Sequence, residues 1–166
     1  RERMPMVFHF SAQSGGTYGA IDGPGLPGLR ASLRKFPKAM FIGHAPAFWN
    51  EIDGGLGSKN RDSYVKGPIR RRGHLWEIFA RYPNVYGDLS AGSAHNAISR
   101  DPAVGYAFLQ KFHRKLFFGT DRFTSKDEPI PPILTFLKDA VRTKQITRPA
   151  YEAIMARNFQ RLIGAG

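Results

Sequence analysis

"KLFFGTDRF", residues 115–123, is the stretch on which the fold turns. Leu116 to Gly119 reads as a short buried strand, and it runs straight into a carboxylate, Asp121. Strands buried on both faces are near-continuous apolar runs, so a charge at the end marks the point where the strand leaves the core. The pattern recurs along the chain. "MPMVFHFS" (4–11) carries His9, "AMFIGHAPAFW" (39–49) runs into His44, and "VYGDLSAG" (85–92) runs into Asp88.

Helical patterns separate these strands. Leu26, Leu29, Leu33 and Phe36 form a helical stripe closed by Pro37, and Leu75, Ile78, Phe79 and Tyr82 form another closed by Pro83. Residues 91–113 read as two helices meeting near "RDP" (100–102), with Val104, Phe108 and Phe112 recurring four apart. Ile133, Leu134, Leu137 and Val141 mark a further helix. Thr147 is placed to cap a last one, whose apolar face would be Tyr151, Ile154, Met155, Phe159 and Leu162. Between the first strand and the first helix lies a Gly-rich loop (14–28), and after the second strand a long loop (45–73).

Strand alternating with helix predicts parallel βαβ units. Two architectures accommodate them, an open doubly wound sheet and a segment of a (β/α) barrel. Polar groups on successive C-terminal strand ends converge around a barrel mouth, and no G-x-G-x-x-G follows any strand, so the barrel is the expected one. Four strands make half of an eight-stranded barrel. The expectation is therefore one partial barrel domain over residues 1–166, the C-terminal half of a (β/α)8 barrel and part of a longer chain.

Composition narrows the chemistry. With no cysteine there is no disulfide or thiolate site, so any metal must be held by His, Asp or Glu. No apolar run is long enough to span a bilayer, and the apolar core of the N-terminal stretch is too short for a signal peptide, so a cytoplasmic location is expected. Lys and Arg number 25 against 13 acidic residues, a net charge of +12. This excess favours anionic partners without naming one.

His9, His44 and Asp121 are the candidate metal ligands. Two imidazoles and a carboxylate suit zinc, with manganese or iron as alternatives, and leave positions open for water and substrate. Asp121 and His44 are the candidate catalytic groups. Asp88 belongs to the same set of strand ends, or else caps the following helix. His95 follows a strand end closely enough to reach a pocket. Phe48 and Trp49 either wall that pocket or pack under the long loop. Lys59, Arg61, Lys66, Arg70, Arg71, Arg72 and Arg122 lie on loops at the same end, available to an anionic substrate or as ordinary surface. His74 and His113 sit at helix ends, where solvation or compensation of the helix dipole explains them.

Four segments together, "FPKAMFIGHAPAFWNEI" (36–52), "RYPNVYGDLSAGS" (81–93), "KLFFGTDRF" (115–123) and "IMARNFQRLIG" (154–164), resemble the amidohydrolase-related family. These are metal-dependent TIM-barrel hydrolases and decarboxylases, including the aminocarboxymuconate semialdehyde decarboxylase type. The resemblance implies that the four strands are strands five to eight of the barrel. It implies that His9 is a metal ligand, that His44 is a ligand or a catalytic residue beside the metal, and that Asp121 is both ligand and base. Asn158 matches a recurrent Asn of the closing helix with a structural role. Ala45-Pro46 stands where the family more commonly has Gly-Gly, and Arg122-Phe123 where it often has an aromatic-Pro pair.

The function expected from these readings is hydrolysis of a small anionic substrate, or non-oxidative decarboxylation on the same fold. The substrate-contacting candidates are Trp49, Asp88, His95 and Arg122. The expected partner is a missing N-terminal half-barrel or a second copy in a homodimer, with no membrane association. A basic nucleic-acid-binding module without catalysis is the alternative of a different class. It has only the charge behind it, with no recognised fingerprint and no aromatic–basic alternation, so nucleic acid is not the expected partner.

Overall fold

A computed structural model describes residues 4–12, 18–57, 60–122 and 130–164. Five parallel strands form one sheet in the order β2-β1-β3-β4-β5. They are β1 (Pro5–Ser11), β2 (Ala20–Ile21), β3 (Met40–His44), β4 (Val85–Asp88) and β5 (Leu116–Phe117). The four expected strands are present. The fifth, β2, lies within the stretch read as a Gly-rich loop, where the chain turns back and pairs Ala20 with Phe10. This return is tight. Gly19 has φ 115°, and a Cβ there would stand 2.4 Å from the His9 carbonyl oxygen.

Between the strands run α1 (Pro27–Lys35), the single turn α2 (Pro46–Trp49), α3 (His74–Arg81), α4 (Ala91–Ser99) and α5 (Pro102–Phe112). After β5 come α6 (Pro132–Arg142), α7 (Arg148–Glu152) and α8 (Asn158–Leu162). The expected boundaries have visible causes. Asp101 accepts from the Val104 amide and starts α5, and Thr147 accepts from Ala150 and starts α7. Asp22, though outside α1, accepts from the amides of Gly28 and Leu29 and so satisfies that helix's first turn.

The short β2 flanks β1 on one side, and β3, β4 and β5 are added in turn on the other. Right-handed crossovers in such an order place every connecting helix on the same face of the sheet. Burial agrees. Phe10, Phe41, Val85 and Leu116 point into one core with Leu33, Phe79, Phe108 and Leu137 of the helices. On the other face Val7 is 63% exposed. The register Val7–Ile42–Tyr86 assigns Ile42 to that second face. Phe41 alternates to the helix side and stacks on Phe8.

Two glycines let the helix layer close against the strands. Phe48 of α2 lies on Gly43, and Trp49 lies on Gly87. The long loop that follows is anchored by buried ion pairs. Arg61, 3% exposed, binds Glu51 at 2.9 Å and donates to the carbonyls of Asp22 and Ala47, while Arg100 pairs with Asp53 at 2.8 Å.

The end of the chain departs from simple periodicity. Residues Ala153–Arg157 form a π turn between α7 and α8. The wider turn shifts the helical phase, so Asn158 turns inward while Phe159, expected on the apolar face, is 55% exposed. The Ile154 carbonyl, inside that turn, accepts from the Phe118 amide just past β5. Among the described residues no helix is long and apolar enough to cross a membrane.

Candidate functional site

His9 of β1 pairs in register with His44 of β3, and Gly43 pairs with Gly87 of β4. Extending that register by one residue puts His9, His44 and Asp88 in one row across three adjacent strands. Gly43 and Gly87 precede the second and third members because their helix-side positions are filled by Phe48 and Trp49. The rings of α2 therefore form the floor beneath the row.

The side chains meet. His44 Nδ1 lies 3.0 Å from Asp88 Oδ2, and the His9 and His44 ring centres are 5.4 Å apart. Ser90 donates its amide to Asp88 Oδ1 at 2.9 Å and its hydroxyl to Oδ2 at 2.5 Å. Asp88 thus serves the turn leading into α4 and also orients His44, so its two readings hold together. Trp49 Nε1 donates to the Asp88 carbonyl at 3.0 Å.

The two histidines are driven apart electrostatically. The hydrogen bond to Asp88 raises the pKa of His44 above the usual imidazole value against the opposing effect of burial, and Asp121 adds to the rise. Burial lowers that of His9, and the neighbouring His44 lowers it further, against the pull of Asp121 and Asp62. Burial is the largest single influence on Asp88 and would raise its pKa. The combined bonds from His44 and Ser90 outweigh it and leave the carboxyl below its ordinary value. Adjacent groups whose proton affinities are pushed in opposite directions are the arrangement that acid–base chemistry uses.

Asp121 does not occupy the fourth place in the row. Asp88 pairs with Phe117, and Asp121 lies beyond the end of β5, exposed, with a left-handed backbone at φ 56°. Its charge is felt by both histidines. Ala45, directly after His44, has φ 84° and ψ 165°, a conformation glycine adopts freely, and it is where the resembled family more commonly carries Gly-Gly. Backbone strain just past the ends of β3 and β5 is typical of sites where a side chain must be aimed.

Two imidazoles bound to one metal at about 2.0–2.1 Å in a tetrahedral arrangement have ring centres about 5 Å apart, close to the separation seen here. With Nδ1 held by Asp88, Nε2 of His44 is the nitrogen left to face a ligand, as in carboxylate–histidine–metal triads. The donor set therefore suits a zinc-type ion. Among the described residues, however, no three such side chains come together into a group that would hold a metal ion.

Other expected residues take different places. Trp49 is fully buried against Phe48 and Phe108, so it supports the row from behind and does not contact a substrate. Arg61 is consumed by Glu51 and is not an anion-binding side chain. Lys59 lies outside the described residues. His95 is half-buried on α4 with its ring edge-on to Phe136, and burial lowers its pKa. Arg122 is exposed beside Asp121. His74 bonds Glu51 at 2.7 Å, and His113 bonds the Gln110 carbonyl.

Sequence reading missed Ser90, Asp62 and Tyr18. Ser90 had a signal in the Asp-x-Ser spacing. Asp62 had none: it reaches from the long loop to accept the Ala12 amide at 2.9 Å, which brings its charge near His9. Tyr18 lies 4.2 Å from the His9 ring, centre to centre. No family model, curated protein or solved structure matches the chain.

Proposed function

We propose that this chain is the C-terminal half of a (β/α)8 barrel and that it serves a metal-dependent hydrolase acting on a small anionic substrate in the cytoplasm. The observation that supports the reading is the His9–His44–Asp88 row at the C-terminal end of a parallel sheet in which β1, β3, β4 and β5 stand side by side in chain order. Active sites of (β/α) barrels stand at that end. His9 and His44 would hold the divalent ion, zinc first, with Asp121 the third ligand once the other half brings the strand ends together and adds its own. Such an ion supplies a water whose pKa is brought from about 15.7 towards 7.

The chain's own residues divide the remaining work. Asp88, held by Ser90, fixes the tautomer and direction of His44. Asp121 receives the proton released by the attacking water, and Arg122 beside it faces the substrate's anionic group. The partner is the complementary half-barrel, either a separate N-terminal segment or a second copy. The sheet offers it the exposed Val7 and two edges, β2 and β5, and unpaired edges template further strands.

Zinc affinity by chelator competition, measured on the protein and on His9→Ala, His44→Ala and Asp121→Ala, tests the reading. Loss of zinc binding in both histidine variants, with loss of hydrolysis of carboxylate-bearing amides in Asp121→Ala, is expected. Zinc affinity unchanged in His9→Ala and His44→Ala refutes it.

A further inference from the structure

We propose that the crevice between the His113–Lys115 turn and α8 binds a phosphomonoester carried on a planar apolar body. This site uses none of the side chains of the histidine row and does not depend on the hydrolase reading. A cavity of about 320 Å³ opens beside Met40, which begins β3, Tyr86 of β4 and Phe117, the last residue of β5. A second, of about 400 Å³, adjoins it on the side of His113 and Arg157. Arg114 and Arg161 line both.

One buried side chain supports the backbone of the first arginine and the guanidinium of the second. Asn158, 5% exposed, donates to the carbonyls of His113 and Leu116, which fixes the turn bearing Arg114. Its Oδ1 accepts from Arg161 Nη2 at 2.6 Å, which fixes the second guanidinium. Among the described residues no ion pair involves Arg114 or Arg161, and no carboxylate lines either cavity. The nearby Arg157 is neutralised by Glu152 at 2.7 Å. Two like charges therefore line the same cavities with no carboxylate among the described residues beside them. Planar guanidinium forks match phosphate and carboxylate oxygens.

Charge and shape choose between those anions. A phosphomonoester carries about −1.5 to −2 at neutral pH and balances two guanidiniums, whereas a carboxylate balances one. The floor of the first cavity is a stacked pair, Tyr86 and Phe117, with ring centres 5.5 Å apart and planes 28° apart. Beside Met40 it offers a flat apolar surface to a ring attached to the phosphate.

Calorimetric titration at low ionic strength with phenyl phosphate, inorganic phosphate and benzoate tests this. Phenyl phosphate is expected to bind about tenfold more tightly than either of the others. Arg114→Ala should weaken it about tenfold without lowering the melting temperature, since Arg114 is exposed and its side chain makes no hydrogen bond or ion pair among the described residues, and Arg114→Lys should fall between. Lys38→Ala and His9→Ala should bind as the parent does. Binding equal in Arg114→Ala and Lys38→Ala overturns the site, and so does phenyl phosphate no tighter than benzoate or inorganic phosphate. A single-stranded RNA bound with equal loss in Arg114→Ala and Lys38→Ala would assign the positive charge to a diffuse polyanion surface and also overturn it.

Discussion

Gly43→Ala is the sharpest probe of how the sheet presents its histidines. A Cβ at Gly43 would lie 2.2 Å from Phe48 Cε2 and 2.3 Å from Cζ. Carbon atoms in contact sit about 3.5–4.0 Å apart, so the ring must retreat by more than about 1 Å. It has nowhere to go. Phe48 is fully buried and wedged against Phe10, Trp49 and Phe79. Overpacking of this kind costs about 1–3 kcal/mol, and complete ejection of the ring would approach the 3–5 kcal/mol of a buried Phe→Ala change. The expected loss is about 3 kcal/mol, a large part of a domain stability of about 5–15 kcal/mol. In urea the midpoint should fall by about 1–2 M at unchanged slope. Phe48→Leu in the same chain removes the clashing edge, so the double variant should recover at least about 1 kcal/mol relative to the sum of the singles. A loss below about 0.5 kcal/mol for Gly43→Ala, or strict additivity, would show that Phe48 does not rest on Gly43.

Further outcomes follow from named contacts. In metal-free protein, Asp88→Asn should lower the His44 titration midpoint by NMR, because the bond that raises it loses its charge. The linked stability runs in two directions. His44, raised, contributes fully below its unfolded value and loses that contribution as pH climbs through its folded value. His9, lowered, contributes above its unfolded value and loses that as pH falls through its folded one. Arg61→Met takes from the buried Glu51 its guanidinium partner, leaving it only His74 and the Gly25 amide, and should cost about 3 kcal/mol in denaturant, while the exposed Arg142→Met should cost under about 1 kcal/mol. Asn158→Ala leaves the His113 and Leu116 carbonyls without their donor and should cost about 1–3 kcal/mol, whereas Phe159→Ala should be nearly neutral.

The sequence by itself determined the parallel α/β character, the positions of the main strands, the caps at Thr147 and the break at "RDP", and the placing of His44 and Asp88 at strand ends. These follow from local rules, namely the periodicity of apolar residues, the stiffness of proline and the hydrogen-bonding reach of short polar side chains. Tertiary structure decided the rest. Register put His9 beside His44 and His44 beside Asp88, and left Asp121 beyond the end of its strand, because pairing depends on neighbours distant in the chain. The ion pair Arg61–Glu51 and the reach of Asp62 to Ala12 close across loops, where no periodicity marks a partner. Trp49 became a support for Asp88 because Gly87 leaves room for its ring. Asn158 and Phe159 exchanged faces because one π turn shifts the helical phase, and that shift is set by the carbonyl given to Phe118 across space, a contact that sequence spacing does not encode.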